Sequence, residues 1–279
     1  AASDVYKRQY ENRQQAFQQR IHDQILKNPQ QFSYANIGLR DRLDFMTRMV
    51  RLTGIEGLTQ MLQSVREEAS QGPVTKDVPR WINTYWLANR GYNGLAYFDL
   101  YHIDIPTSLK DTVNAYPNSY IYPLALLIEN ETERQKYVKQ LGLSTAYELV
   151  RSSDLKESTI KASATVTVDQ QGQVLPDGST IKLIDGTTQV AEATIVNGKA
   201  QFEQIRPGIY KIVAPLSKDA ALPEHAYLIV KEKGENVATV TYPALQHRQT
   251  AMTERIVLQG IANREFVNIE YQPEHQKVI

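Results

Sequence analysis

The sequence lacks cysteine, and this absence excludes disulfide bonds, a thiolate nucleophile and a thiolate metal site. It has no run of about 18 apolar residues either, so no transmembrane segment is predicted. No charge of one sign dominates, since 31 Lys and Arg balance 31 Asp and Glu. A balanced chain does not suit a protein that works mainly by neutralising phosphates, so we expect no nucleic-acid partner.

Complete catalytic motifs are also missing from the sequence. There is no HExxH zinc motif, no G-x-S-x-G nucleophile turn, no P-loop and no G-x-G-x-x-G. The histidines are scattered, with no pair four residues apart that would bind zinc from one helix face. They are His22, His102, His225, His247 and His275. We therefore expect no catalytic residue and no bound metal in this chain.

What is there is the composition of a folded protein, with 279 residues of which 42% are hydrophobic. This length predicts one large domain or about two ordinary ones. Residues 1–9 (AASDVYKRQ) are interpreted as a non-native lead-in, because they resemble translated adapter sequence from assembled environmental DNA. On that interpretation the natural protein continues upstream. The alternative is an ordinary polar start to a helix.

Residues 10–154 are predicted to form an all-helical bundle, because apolar residues recur there at helical spacing. Pro29, Gly54 and Pro73 separate the first helices. The predicted helices are Tyr10–Lys27, Arg40–Thr53, Ile55–Ala69, Val78–Asn89, Asn93–Tyr101, Ser108–Val113, Thr132–Lys139 and Ser144–Val150.

Residues 155–244 are predicted to form a small antiparallel β-sandwich of the immunoglobulin or prealbumin type, because the apolar period becomes two. Turn dipeptides such as Asp185-Gly186 and Asn197-Gly198 separate the strands. The predicted strands are Ala162–Val168, Thr180–Ile184, Glu192–Val196, Ala200–Phe202, Tyr210–Val213, Tyr227–Val230 and Val237–Thr241. Residues 245–279 add two more strands, Glu254–Gln259 and Glu265–Tyr271, which are too few to bury a core alone.

A candidate substrate cleft is predicted from aromatic residues and an acid–histidine pair in the helical half. Aromatic faces with polar tips suit carbohydrate or an extended peptide. The candidate residues are Trp81, Tyr85, Trp86, Tyr92, Asp99 and His102. At helical spacing, however, such aromatic residues more often form the core of a helical layer. The acid and the histidine, three positions apart, also fit a structural hydrogen bond.

The order of segments in the helical half resembles one protein family. Phe32–Glu68 holds two helices divided by a glycine, and Trp81–Asp111 follows. In the second segment, Tyr97–His102 (YFDLYH) precedes Ile105–Ser108 (IPTS). This order is similar to the region downstream of the catalytic motif in enhancin-like zinc metallopeptidases, the M-sixty, mucin-degrading family. The resemblance covers roughly residues 30–150.

This resemblance implies a function for the parent protein. In the family, two His, a Glu between them and a further Glu hold and use the zinc, and all lie upstream of the matched region. The resemblance therefore implies zinc in the full-length parent and none in this chain. It makes residues 10–154 the C-terminal subdomain of a peptidase and implies a mucin-type glycoprotein or host glycan as partner. A monomer, secreted by or displayed on a bacterial cell, is expected.

The β half resembles Cna-B-type and transthyretin-like modules. The similar residues are Asn197–Phe202 (NGKAQF), Pro207–Tyr210 (PGIY) and Ala214-Pro215. Some such modules crosslink Lys to Asn with a buried Glu just after the Tyr strand. Because Ala214 stands there, no such bond is expected, and the resemblance implies a spacer or adhesion module. Ile256–Ile279 resembles the opening strands of a mucin- or carbohydrate-binding module, so residues 245–279 would begin a truncated one.

Two hypotheses of function follow. In the first, the chain is a C-terminal, inactive fragment of a secreted zinc metallopeptidase that degrades mucin-type glycoproteins, in which it supports the cleft and links to accessory modules. In the second, it is a non-catalytic cell-surface adhesion or glycan-binding protein. An intracellular binding protein is disfavoured, since the resembling modules are typical of exported proteins.

Overall fold

Helices occupy the N-terminal part of the chain and strands the C-terminal part in this computed structural model. It describes residues 2–172, 175, 178–216 and 222–243, and the strands within 255–272 and at 277–278. Residues 1–243 form one compact unit and residues 244–279 a second one. Within the described residues, no helix is long and apolar enough to cross a membrane.

Seven of the eight predicted helices are present in the predicted order, with one additional short helix, α7, and one unexpected geometry. They are α1 (Ala2–Lys27), α2 (Leu39–Thr53), α3 (Ile55–Gln71), α4 (Val78–Arg80), α5 (Leu95–Leu100), α6 (Thr107–Ala115), α7 (Leu124–Leu127) and α8 (Glu131–Leu141). After α4 the chain continues as a π-helix, Trp81–Leu87, and a short 3₁₀ turn, Ala88–Arg90. The Asn83 side chain donates to the Pro79 carbonyl at 2.9 Å. In an α-helix this carbonyl would accept from the Asn83 backbone N–H, so the side chain takes the place of a backbone donor.

Three short strands interrupt the helical half, which corrects the prediction of helices alone. They are β1 (Tyr92–Asn93), β2 (Ser119–Pro123) and β3 (Leu149–Arg151). Strand β2 runs parallel to β1 and antiparallel to β3. The predicted helix Ser144–Val150 is therefore wrong. Its carbonyls at Ala146 and Glu148 instead accept from the backbone of α7, so tertiary contacts override the local pattern.

The β half is a seven-stranded mixed sheet with a sandwich-like or barrel-like curvature. All seven predicted strands are confirmed, as β4 (Ala162–Asp169), β5 (Thr180–Asp185), β6 (Thr188–Val196), β7 (Lys199–Ile205), β8 (Gly208–Val213), β9 (Ala226–Val230) and β10 (Val237–Thr241). Their order is β10-β4-β7-β6-β5-β8-β9. Every neighbouring pair is antiparallel except β10 with β4, which corrects the purely antiparallel prediction. The Glu224 N–H donates to the Thr241 carbonyl at 2.8 Å, which brings the two outer strands together.

The core of this sheet is built from the inward positions of the alternating pattern. Phe202 and Tyr210 are 2% and 3% exposed, so both side chains point into the core. The second unit contains β11 (Arg255–Gln259), β12 (Glu265–Gln272) and β13 (Lys277–Val278) in an antiparallel sheet. The first two confirm the strands predicted there.

The helical half and the seven-stranded sheet are joined through β8 and β9. The Ser152 hydroxyl donates to the Ile209 carbonyl at 2.8 Å and accepts from the Ile209 N–H at 2.7 Å. A side chain at Gly208 would lie 2.6 Å from the Ser152 hydroxyl, so this approach requires glycine. The Tyr227 hydroxyl donates to Asp99 Oδ2 at 2.6 Å. Burial and the nearby Asp99 charge raise the pKa of Tyr227, so the hydroxyl keeps its proton in the folded protein.

A Tyr227→Phe variant is expected to lower the free energy of unfolding by about 1.5–3 kcal/mol, because the lost bond is made to a charged group. Tyr210→Phe is the matched control. Its hydroxyl donates to the neutral Arg206 carbonyl at 2.9 Å, so its loss should cost about 0.5–1.5 kcal/mol. Urea unfolding measures both variants. If Tyr227→Phe costs no more than the control, Asp99 is not the anchor that joins the two halves.

Candidate functional site

The predicted aromatic cluster divides between the core and the surface. Trp86 is fully buried, and its Nε1–H donates to Thr53 Oγ1 at 2.8 Å, so it belongs to the helical core and not to a cleft. Trp81 and Tyr85 are half-buried. The Tyr85 hydroxyl donates to Glu68 Oε2 at 3.0 Å. These three aromatic side chains are therefore positioned by helix packing.

The predicted acid–histidine pair does not form. Asp99 is half-buried and accepts from Tyr227, whereas His102 is exposed and adopts a φ of +49°. The His102 backbone N–H donates to the Asp99 carbonyl at 2.9 Å, and this tight turn directs the two side chains differently. Asp99 therefore makes a structural hydrogen bond, which was the alternative to a role in a substrate cleft.

Tyr92 lies at a cleft of about 400 Å³ in the helical half. The cleft is bounded by the end of α2, the end of α8 and strand β3. Its lining residues are Arg51, Leu52, Tyr92, Leu141, Gly142, Leu143, Ser144, Glu148, Leu149, Val150, Arg151 and Asp154. This volume is within the range of about 300–1,000 Å³ that small-ligand sites occupy. We take this cleft as the candidate functional site.

Glu148 is the buried acid of the cleft, with 4% of its surface exposed. Its Oε1 accepts from the Ser144 hydroxyl at 2.7 Å and from Gln18 Nε2 at 3.3 Å, and it lies 2.8 Å from Arg51 Nε. Among the described residues, its Oε2 has no hydrogen-bond partner. A buried acceptor without a donor is costly, and Arg51 Nε in the same cleft is likewise a buried donor without a hydrogen-bond partner among the described residues.

A second ion pair lies beside Tyr92. Arg151 Nη2 donates to Asp154 Oδ1 at 2.8 Å, and the Arg151 guanidinium is 5.5 Å from the centre of the Tyr92 ring. The hydrogen bond to Asp154 raises the pKa of Arg151. Burial raises the pKa of the nearby Asp185. The cleft thus combines an aromatic face with two guanidinium–carboxylate pairs.

A buried polar network positions the residues that line the cleft. Arg48 Nε donates to Asp44 Oδ2 at 2.7 Å, and Arg48 Nη1 donates to the Tyr147 carbonyl at 2.8 Å. The Thr145 hydroxyl donates to Gln18 Oε1 at 2.5 Å. Since Arg51 lies on α2, one turn after Arg48, the network fixes the loop of residues 144–148 against the helix that carries Arg51.

Sequence reasoning missed Arg51, Glu148, Arg151 and Asp154. Arg51 and Glu148 are 97 positions apart, so no local pattern connects them, whereas Arg151 and Asp154 form a local pair three positions apart. One signal was present, since Asp44 and Arg48 are charged residues at i and i+4 on the apolar face of a predicted helix. Charged residues there must be paired when buried.

The described residues do not fit a zinc site. Among them, no group of three or more His, Asp or Glu side chains is arranged to hold a metal ion; His247 and His275 lie outside the described residues. The cleft instead offers hydrogen-bond donors, acceptors and a ring face, which is binding chemistry. No protein-family model and no curated protein matches this chain.

Proposed function

We propose that this chain is a non-catalytic, saccharide-binding part of a secreted bacterial protein that acts on mucin-type glycoproteins. The observation that carries the proposal is the cleft, which is lined by the Tyr92 ring beside the Arg151–Asp154 pair and also by Glu148. Its size suits one or two sugar rings.

Sugar chemistry explains why this combination matters. Each hydroxyl is both a donor and an acceptor, so a sugar needs donors and acceptors close together. Arg51 and Arg151 supply donors, and Glu148 and Asp154 supply acceptors. The apolar face of a pyranose ring packs on an aromatic ring, and the half-buried Tyr92 ring, which has the Arg151 guanidinium over it, lines this cleft.

For the parent protein, we propose an enhancin-like zinc metallopeptidase. The support is the order of segments across roughly residues 30–150, with the YFDLYH stretch at Tyr97–His102. In this proposal residues 10–154 form a bundle-like C-terminal subdomain of the peptidase, and the seven-stranded sheet is a prealbumin-like spacer. The zinc and its ligands belong to a region upstream of residue 10, and residues 245–279 begin a carbohydrate-binding module.

The second candidate is a cell-surface adhesion or glycan-binding protein without a peptidase. It is favoured by the same cleft, which binds sugar without help from a metal. The upstream reading frame separates the two candidates. An HExxH followed by a further Glu supports the peptidase, whereas a start codon and secretion signal just before residue 10 support the adhesion protein.

A Tyr92→Ala variant tests the saccharide site directly. We expect it to weaken binding of mucin-type O-glycan oligosaccharides roughly 3- to 10-fold, the value of one aromatic stacking contact. Isothermal titration calorimetry with the full chain measures the change. Tyr85→Ala is the matched control, because Tyr85 is an equally half-buried tyrosine outside the cleft. Equal losses in both variants, or no binding by the unmodified chain, would reject the proposed site.

A further inference from the structure

A second concave surface, the α1–α2 groove, lies between the first two helices and is not used by the proposed function. Its volume is about 370 Å³, and its lining includes Arg13, Phe17, Arg40 and Leu43. Among their lining residues, the groove and the cleft share Arg51. We infer that the α1–α2 groove binds an acidic amphipathic helix of a partner protein. The inference is independent of the proposed function, because its ligand is a protein segment and not a sugar.

Arg13 and Arg40 lie towards opposite ends of the groove. Arg20 on α1 forms an ion pair with Asp41 on α2, so Arg40, the neighbour of Asp41, is nearly level with Arg20. Arg13 comes seven residues before Arg20 in the same helix, which is about 11 Å at 1.5 Å per residue. Two turns of an α-helix have the same length, so a helix docked in the groove can place one side chain beside each arginine.

The middle of the groove is apolar. Leu43 is 63% exposed, and Leu39, one turn before it on the same face of α2, is also exposed. Phe17 is half-buried, with the Arg20 guanidinium 5.0 Å from the centre of its ring. A single exposed leucine is ordinary, but apolar side chains one turn apart beside a concave surface are what the apolar face of an amphipathic helix packs on.

The charge of the groove favours an acidic partner. Its lining holds three arginines and one acid, Asp44, which is buried and bonded to Arg48. Arg13 and Arg40 are exposed, and among the described residues neither forms an ion pair. A guanidinium without a carboxylate partner can make a bidentate contact to an Asp or Glu of a ligand. Acidic side chains on both sides of an apolar stripe therefore complement the groove.

Other occupants use only part of this arrangement. In a symmetric contact between two copies of this chain, the same patch faces itself, so arginines would meet arginines. A bilayer surface is flat, so it would contact the protruding Leu39 and Leu43 without filling a concave surface. A nucleic acid backbone offers phosphates but no apolar side chain to cover Leu43. An acidic amphipathic helix uses the shape, the apolar middle and the basic ends together.

Two designed peptides test the inference on the unmodified full chain. The acidic probe is an alanine-based helix of about 18 residues with Glu at positions i and i+7 and Leu at i+3 and i+4. The second probe carries Lys in place of Glu. Fluorescence anisotropy with labelled peptides is expected to show the acidic probe binding about tenfold more tightly at low salt, with a smaller difference as the salt concentration rises. Equal affinities of the two probes, or binding by neither, would overturn the inference.

Substitutions of exposed side chains locate the binding surface. Arg40→Glu and Leu43→Ala are each expected to weaken binding of the acidic probe about tenfold, and Arg40→Glu should also strengthen binding of the Lys probe. Arg66→Glu and Leu62→Ala are the matched controls, since both residues are exposed on α3 outside the groove. Circular dichroism checks that each variant is folded. Equal losses in the groove variants and the controls would overturn the assigned surface.

The other occupants give distinct results in the same set of experiments. Vesicles of phosphatidylcholine and phosphatidylserine that bind the chain when neither peptide does would assign the face to an anionic membrane. A dimer in sedimentation velocity that Leu43→Ala dissociates would assign it to a second copy of this chain. Either result overturns the inference of an acidic helix and leaves the proposed saccharide site untouched.

Discussion

An Arg48→Met variant is expected to lower the free energy of unfolding by about 3–5 kcal/mol, because it leaves a buried carboxylate without its main partner. Arg48 is 2% exposed and Asp44 is 7% exposed. The variant removes the 2.7 Å bond to Asp44 and the 2.8 Å bond to the Tyr147 carbonyl at once. Methionine fills a similar volume, so the loss reports charge and hydrogen bonding more than a cavity. Urea unfolding followed by circular dichroism measures it.

Lys182→Met is the control for this substitution. Lys182 pairs with Glu192, and the two side chains are 43% and 40% exposed. Exposed ion pairs contribute about 0–1 kcal/mol, so this variant should stay close to the unmodified chain. A loss at Arg48 no larger than the loss at Lys182 would contradict the assigned role of the buried pair.

A double variant separates the pair from its surroundings. Asp44→Leu with Arg48→Met removes both charges, and replacing a complete buried pair by apolar residues is much less costly than breaking it. Arg51 keeps its contact to Glu148 in this variant. The double variant should therefore be more stable than Arg48→Met alone. If the double variant is less stable, the Asp44 carboxylate stabilises the fold through contacts other than its pair with Arg48, such as the hydrogen bond that it accepts from Gln18.

The fold was predictable where one segment determines its own structure. In β4 and β7 the alternation that buries Val166 and Phe202 is local, and the strands follow from it. Strand β3 was not predictable in the same way. Its residues read as the end of a helix, and the Glu148 carbonyl accepts from Leu124 of a distant segment. The strand is preferred over the helix there because it also satisfies the backbone hydrogen bonds and, in addition, buries Leu149 and Val150.

The candidate site was less predictable than the fold. Aromatic residue type identified Tyr92, which lines the cleft, but it also selected Trp86, which is in the core. Residue type does not tell which side of a helix faces the solvent when aromatic residues occur on several faces. The Arg51–Glu148 pair joins residues 97 positions apart, and the local Arg151–Asp154 pair lines a cleft only because distant segments pack around it, so single-segment patterns indicate neither.

A Trp86→Ala variant is the second large effect we expect, with a loss of about 3–5 kcal/mol in the free energy of unfolding. Trp86 is the largest of the fully buried side chains among the described residues. The variant leaves a cavity in the helical core and leaves the Thr53 hydroxyl without its 2.8 Å donor. Guanidinium unfolding measures the loss.

Trp81→Ala is the matched control, because it removes the same side chain from a half-buried position. The chain has two tryptophans, so each variant keeps one of them as a fluorescent probe. We expect Trp81→Ala to cost clearly less than Trp86→Ala. Equal costs would place both indoles in the core, and a larger loss at Trp81 would contradict the packing described for Trp86.

A substitution at Gly57, which lies on α3, tests the packing of Trp86 from the other side of the contact. A Cβ added at Gly57 would lie 2.5 Å from Trp86 Nε1, and an indole cannot move away as a flexible chain end can. Gly57→Ala is therefore expected to destabilise the chain by about 1–3 kcal/mol through overpacking. In the Trp86→Ala background the indole is gone and only the Thr53 hydroxyl, 2.8 Å from the added Cβ, remains in the way, so the same substitution should cost clearly less. An equal cost in both backgrounds would rule out direct packing of Gly57 on Trp86.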